Sequence, residues 1–232
     1  MSWRSYPQIK ICGLTDPEQA VECAKLGADA IGLVFYPKSP RNVSAEQAAS
    51  ITARLPGHVA SVGVFVNPEK QFLLETIERC GLSAAQLHGQ ESPQWVADIG
   101  RSTRAGVIKA LFAEREPRLS EAGCYDVGAY LVECGKGRLP GGNAMAWNWA
   151  IAEEFGRQYP VILAGGLSPE NVADAISACL PDAVDASSHL EAGPGRKDLN
   201  KVKRFIEQVR QTAPLYQSRK REMTPVLSFT KQ

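Results

Sequence analysis

Residues 160–190, PVILAGGLSPENVADAISACLPDAVDASSHL, read as strand, turn, helix and strand in succession. PVILAG (160–165) and DAVDAS (182–187) are short apolar runs of the kind expected for parallel strands covered on both faces. The chain turns at Gly165-Gly166, and Ser168-Pro169 then opens a helical pattern predicted over 169–178. There the serine oxygen accepts a bond from a free backbone N–H of the first turn. Proline at the first helical position gives up an N–H that would be unpaired anyway. Strand, crossover helix and parallel strand make one right-handed βα step.

The same unit recurs along the chain. Asp16-Pro17, Asn67-Pro68 and Ser92-Pro93 repeat the junction of cap residue and proline, and helical stretches are predicted over 17–26, 45–54, 68–80 and 197–211. The remaining strands are QIKIC (8–12), AIGLVF (30–35), VASVGVFV (59–66), AAQLH (84–88), AGVIKA (105–110) and GAYLVE (128–133), which brings the set to eight. Eight βα units in this length describe an α/β chain with a single (β/α)₈ TIM barrel over 1–213 better than an open doubly wound sheet. The polar tail 214–232, with Arg219-Lys220-Arg221, is expected to be weakly ordered.

Composition narrows the function classes. The chain has 232 residues, 44% apolar, and its 26 Lys and Arg against 25 Asp and Glu leave a net charge of +1. At roughly 150 residues per typical domain, one large barrel fits the length. So balanced a charge provides no basic surplus for phosphate neutralisation, so neither nucleic acid nor an anionic membrane is expected as partner. No run approaches the roughly 18 apolar residues of a membrane span, and the start lacks a signal-peptide pattern, so a cytoplasmic protein is expected. The six cysteines never form C-x-x-C and never cluster with the three histidines, so no metal site and no disulfide framework is expected.

A barrel of this kind carries its chemistry at the C-terminal ends of its strands. Gly165 and Gly166 follow the seventh strand, and Ser187 and Ser188 follow the eighth, where barrels commonly hold a phosphate on backbone N–H groups and a helix N-terminus. A lone Gly-Gly is most often only a turn; its register in the seventh and eighth units favours a phosphorylated small substrate. Cys12 and Glu133 end the first and sixth strands and could act as separate base and acid. Taken singly, a buried thiol is more often structural, and a strand-end glutamate more often salt-bridged or solvated.

KICGLT (10–15), GLVFYPKSPR (32–41), VGVFVN (62–67), QLHGQE (86–91), VIKA (107–110), LAGGLSPENV (163–172), VDASSHLE (184–191) and PGRKD (194–198) together resemble the phosphoribosylanthranilate isomerase family of tryptophan biosynthesis, in order and spacing. The resemblance implies an Amadori rearrangement of N-(5-phosphoribosyl)anthranilate to 1-(2-carboxyphenylamino)-1-deoxyribulose 5-phosphate. It makes Cys12 the base that removes the C2′ proton and Glu133 the acid that protonates the ribose ring oxygen. Arg41 would receive the anthranilate carboxylate, a task suited to a planar guanidinium. Asp185 would contact the substrate amine or hydroxyls, and Gly165, Gly166, Ser187 and Ser188 would hold the phosphate. Gln86 and His88 are expected at the pocket wall, His88 with a purely structural role equally open, and Lys10 supports the site from the barrel interior. No cofactor is implied, and the assembly is expected to be a monomer or homodimer.

Three features depart from the family pattern. Glu133 stands where an aspartate is usual, and its extra methylene moves the carboxyl by more than about 1 Å. Residues 141–149 lack the usual third glycine and the basic residue after it, and Trp147 and Trp149 are expected only to pack the following helix. His189 stands where glycine is common; it brings either a steric cost or an extra phosphate donor. A diverged paralogue that keeps the phosphate cradle but binds a ligand or partner, or acts on another phosphosugar, is the alternative.

Overall fold

Parallel pairing runs without a break around eight strands. In the computed structural model, which describes residues 5–136, 147–216 and 225–228, these are β1 (Gln8–Cys12), β2 (Ala30–Phe35), β3 (Ala60–Phe65), β4 (Ala84–Leu87), β5 (Gly106–Phe112), β6 (Ala129–Glu133), β7 (Val161–Leu163) and β8 (Ala183–Ala186). They bond in chain order, and β8 returns to β1 with Asp185 opposite Lys10, so the (β/α)₈ barrel is closed. Around it lie α1 (Pro17–Leu26), α2 (Ala45–Arg54), α3 (Lys70–Cys80), α4 (Pro93–Ser102), α5 (Ile151–Gln158), α6 (Val172–Cys179) and α7 (Leu199–Gln211). One connection differs from the rest: a 3₁₀ helix, Leu119–Cys124, joins β5 to β6 in place of an α-helix. After β8 come a 3₁₀ turn, Ser188–Leu190, and a hairpin of β9 (Glu191–Gly193) and β10 (Arg196–Lys197); α8 (Ala213–Tyr216) follows α7. None of the described helices is long and apolar enough to cross a membrane.

Two of the four cap-and-proline junctions work as read. Asp16 accepts from Gln19 N and Ser92 from Trp95 N, so α1 and α4 begin at their prolines. The other two serve turns instead. Asn67 takes φ +46° and uses Oδ1 to accept from Gln90 N, so α3 starts only at Lys70. Ser168 accepts from Glu170 N on its hydroxyl and donates its own N–H to Asn171 Oδ1, which delays α6 to Val172. In both cases the polar side chain bonds into a loop, as such side chains do when the loop offers a nearer partner.

Alternation along each strand separates two cores. Ile9, Ile11, Ile31 and Leu33 face the helices, whereas Gln8, Lys10 and Cys12 share the inner face of β1. The interior is lined largely by small residues, Ala30, Ala60, Ala84, Ala129 and Ala183 among them, and must be filled by something. Part of the filling comes from the segment expected to be loose. Val226 and Leu227 belong to the interior cluster, 4% and 1% exposed. Leu227 N donates to Gln8 Oε1 at 2.8 Å, and Gln8 Nε2 donates to Ser228 Oγ at 3.0 Å. Because Gln8 begins β1, residues 225–228 close the N-terminal mouth of the barrel. Within the 214–232 tail, α8 packs as a short helix and 225–228 lodges in the barrel: two apolar residues in a polar stretch find a cavity their size. Residues 217–224 and 229–232, Arg219 to Arg221 included, lie outside the described residues.

Candidate active site

The inner face of β1 delivers the first group. Cys12, 8% exposed, ends the strand, and Lys10, fully buried one layer below, donates to Asp185 Oδ2 of β8 at 2.9 Å. Burial works against the Lys10 charge, but Asp185 and then Cys12 outweigh it and hold its pKa above the usual value. Burial pushes the Cys12 thiol up, and the Lys10 cation opposes that rise. Asp185 Oδ1 is buried with no hydrogen-bond partner. An unpaired buried carboxylate oxygen is costly, so it marks a place for a donor from outside the chain.

Room for the sulfur comes from β2. Gly32 is in register with Cys12, and a Cβ there would lie 2.6 Å from Sγ and 3.0 Å from the Cys12 Cα. Gly32→Ala must therefore displace the thiol. A shift of about 1 Å at a reacting atom costs on the order of a hundredfold in rate. Steady-state kinetics on Gly32→Ala should show that loss mainly in kcat, with thermal stability changed far less.

The second group is a chain of three. Gln86 Nε2 donates to His88 Nδ1 at 2.9 Å, which places the neutral imidazole proton on Nε2, and Nε2 faces Glu133 Oε1 at 3.2 Å. Glu133, 7% exposed, ends β6 and so stands on the same rim as Cys12, with β7 and β8 between them. Gln86 Oε1, like Asp185 Oδ1, is buried without a partner. The loop carrying His88 is anchored behind the barrel wall by a buried pair, Lys109 Nζ to Glu91 Oε2 at 2.9 Å, while Glu91 Oε1 accepts from Asn67 N and Gly89 N.

The third group is the turn after β7. Gly165 and Gly166 take φ +87° and +70°, a left-handed pair that side-chain-bearing residues adopt only with strain. Gly166 O accepts from Asn171 Nδ2 and lies 3.1 Å from His189 Nδ1, so that ring nitrogen carries a hydrogen. His189 thus ties the seventh and eighth loops from within the 3₁₀ turn and is not among the residues with positive φ. Its Nε2, in the neutral ring, is an acceptor. The Ser187 hydroxyl donates to Cys12 O at 3.0 Å and braces the thiol-bearing strand. The expectation for Trp147 is corrected: it donates from Nε1 to Ala164 O at 3.0 Å, and a Cβ on Gly165 would lie 3.0 Å from Nε1 and 3.3 Å from Glu133 Cβ. The ring thus lies against the turn after β7 as well as packing on the core. Residues 141–146 of the altered loop lie outside the described residues.

Arg41 forms the fourth group, in an arrangement the sequence did not disclose. Its side chain lies over Gly13, next to Cys12, and grips Glu191 as a fork: Nε donates to Oε1 at 2.8 Å and Nη2 to Oε2 at 2.7 Å. Lys197 Nζ, fully buried, donates to Glu191 Oε1 at 2.8 Å and to Ser187 O at 3.2 Å. Glu191 and Lys197 escaped sequence reasoning because their partner lies far away in the chain; the signal available was the charged pair flanking a Pro-Gly turn in LEAGPGRK (190–197).

A closed barrel whose C-terminal rim gathers a buried thiol, a buried carboxyl–imidazole pair, two unmatched acceptors and a left-handed glycine turn is the architecture of a barrel enzyme acting on a small polar ligand. The family model for N-(5'-phosphoribosyl)anthranilate (PRA) isomerase matches residues 9–208. A curated N-(5'-phosphoribosyl)anthranilate isomerase of Desulfatibacillum aliphaticivorans is 54% identical over 213 residues, covering 92% of this chain and 97% of that one. The crystal structure of the phosphoribosyl anthranilate isomerase of Thermotoga maritima superposes with a TM-score of 0.82 at 38% identity, over 88% of this chain and 99% of that one. Another such isomerase, solved in complex with reduced 1-(o-carboxyphenylamino)-1-deoxyribulose 5-phosphate, gives a TM-score of 0.77 at 37% identity, over 88% and 99%. The chain belongs to the N-(5'-phosphoribosyl)anthranilate isomerase family.

Proposed function

We propose that this rim converts N-(5-phosphoribosyl)anthranilate to 1-(2-carboxyphenylamino)-1-deoxyribulose 5-phosphate, with Cys12 as base and Glu133 as acid. The observation that carries the assignment is the buried thiol and the buried carboxyl on one rim beside two unmatched acceptors, Asp185 Oδ1 and Gln86 Oε1. In this reading the phosphate lies on the backbone of Gly165, Gly166 and Ser188, with Ser187 holding the strand beside it. His88 Nε2–H occupies Glu133 Oε1, so the acid proton is carried on Oε2. Its transfer to the ribose ring oxygen opens the furanose to a Schiff base, and the carboxylate left behind keeps the histidine hydrogen bond. The Cys12 thiolate then takes the C2′ proton; the enol-amine formed settles to the 2′-ketone. Asp185 Oδ1 accepts from the substrate amine or a hydroxyl. A phosphorylated small molecule is the partner this site needs, and the reading is completed by a cytoplasmic setting and a monomer or homodimer.

The test is to add freshly generated phosphoribosylanthranilate and follow loss of its fluorescence, with the next enzyme of the pathway consuming product. Turnover is the expected result; binding of the reduced product without turnover would assign the barrel to ligand binding instead. The pH profile has a definite sign. Burial holds the Cys12 pKa above its ordinary value, so the thiolate fraction, and kcat/KM with it, rises with pH above neutrality. Lys10→Met removes the cation that opposes the rise in pKa, and the profile should move to higher pH.

A further inference from the structure

Arg41 is committed before any ligand arrives. A guanidinium has five N–H donors arranged so that two carboxylates can be gripped at once, one along the Nε and Nη2 edge and one across the Nη1 and Nη2 end. Glu191 occupies the first edge with bonds of 2.8 and 2.7 Å, in a pair whose side chains are 9% and 5% exposed. Lys197 holds the same carboxylate from the other side and also binds Ser187 O. The cluster Arg41, Glu191 and Lys197 carries one negative and two positive charges, so a buried positive charge is left over next to Cys12. A single incoming carboxylate would balance it.

We infer that Glu191, braced by Lys197, is a positioning residue that fixes Arg41 by one edge so that its free end reads a ligand carboxylate, and that the β9–β10 hairpin thereby sets specificity for carboxylated ligands. The inference rests on the proposed substrate reading. The hairpin also explains how two ligand ends are held at a set spacing: Lys197 touches both the carboxylate that holds Arg41 and the carbonyl of Ser187, beside the phosphate loop. An arginine left to its own rotamers would lose this alignment, since holding a long side chain in one geometry has an entropic cost at each binding event.

The experiment compares affinities of the full chain for two probes, reduced 1-(2-carboxyphenylamino)-1-deoxyribulose 5-phosphate and the same compound without the carboxyl group. Wild type should prefer the carboxylated probe by about tenfold to a hundredfold, the range of a charge-assisted bidentate contact. In Glu191→Gln the preference should collapse towards unity, with the affinity for the carboxylated probe falling far more than that for the decarboxylated one, and KM raised more than kcat is lowered. Glu191→Asp, which keeps the charge and is safer for folding, should lie between the two. A preference at the wild-type level in either variant overturns the inference. Because the readout is binding, an absence of turnover in wild type would count against the proposed reaction alone, whereas equal affinity of wild type for both probes would sink carboxylate reading by Arg41.

Discussion

Cys12→Ala should lower kcat by about 10²–10⁴-fold, the usual contribution of a positioned general base, while affinity for the reduced product changes little. The sulfur sits in a notch made by Gly32. Removing it leaves the Lys10 to Asp185 pair, the Arg41 to Glu191 fork and the glycine turn intact. Cys12→Ser should be nearly as impaired, because a hydroxyl in the same place ionises far less readily than a thiol. At the acid, Glu133→Gln keeps the hydrogen bond from His88 but has no proton to give, so a loss of similar size is expected. Glu133→Asp keeps the proton but draws the carboxyl back from His88 Nε2, which lies 3.2 Å from Glu133 Oε1, and should retain part of the rate. Stopped-flow or steady-state kinetics on these variants decides the roles; near-wild-type turnover by Cys12→Ala would remove the thiol from the mechanism.

Ending the chain after Tyr216 should cost several kcal/mol of stability without touching the rim. Val226 and Leu227 are buried almost completely in the barrel interior, and burial of such side chains contributes roughly 1.5–3 kcal/mol each. Gln8 would also lose Leu227 N and Ser228 Oγ, leaving its amide to water or to nothing. For a chain of this size a loss of about 3–6 kcal/mol lowers the unfolding midpoint on the order of 10–20 °C. Leu227→Ala alone should give a smaller drop, about 2–5 kcal/mol by cavity formation. Differential scanning calorimetry on both variants is the measurement; an unchanged midpoint for the shortened chain would show that the segment adds nothing to the core. Turnover at 25 °C should survive, since the floor and the rim are opposite ends of the barrel.

How far the sequence carries depends on the range of the interaction. Local signals were reliable: the strand ends at Cys12, Phe35 and Glu133, and the helix starts at Pro17, Ala45 and Pro93, follow from apolar runs and caps within a few residues. Asn67-Pro68 and Ser168-Pro169 look the same locally yet cap nothing at those prolines, because their side chains find partners in loops, one of them across the sheet at Gln90. At the site, period-two alternation puts Lys10 and Cys12 on one face, and unit counting puts Gly165, Gly166, Ser187 and Ser188 together. The Arg41 to Glu191 pair was hidden for a physical reason: it joins residues 150 positions apart through a fork whose geometry exists only once the barrel has closed. The lodging of Val226 and Leu227 was equally hidden, since its cause is the small size of alanines scattered over five strands.

That lodging bears on how the protein is made. Residues 225–228 leave the ribosome after all eight strands have emerged, and they lie beyond the residues 9–208 that the family model matches. Until they clear the exit tunnel, a nascent barrel has an open apolar floor lined with alanine. The interval is when a chaperone would find something to hold, and when neighbouring nascent chains on one messenger would be most prone to stick together.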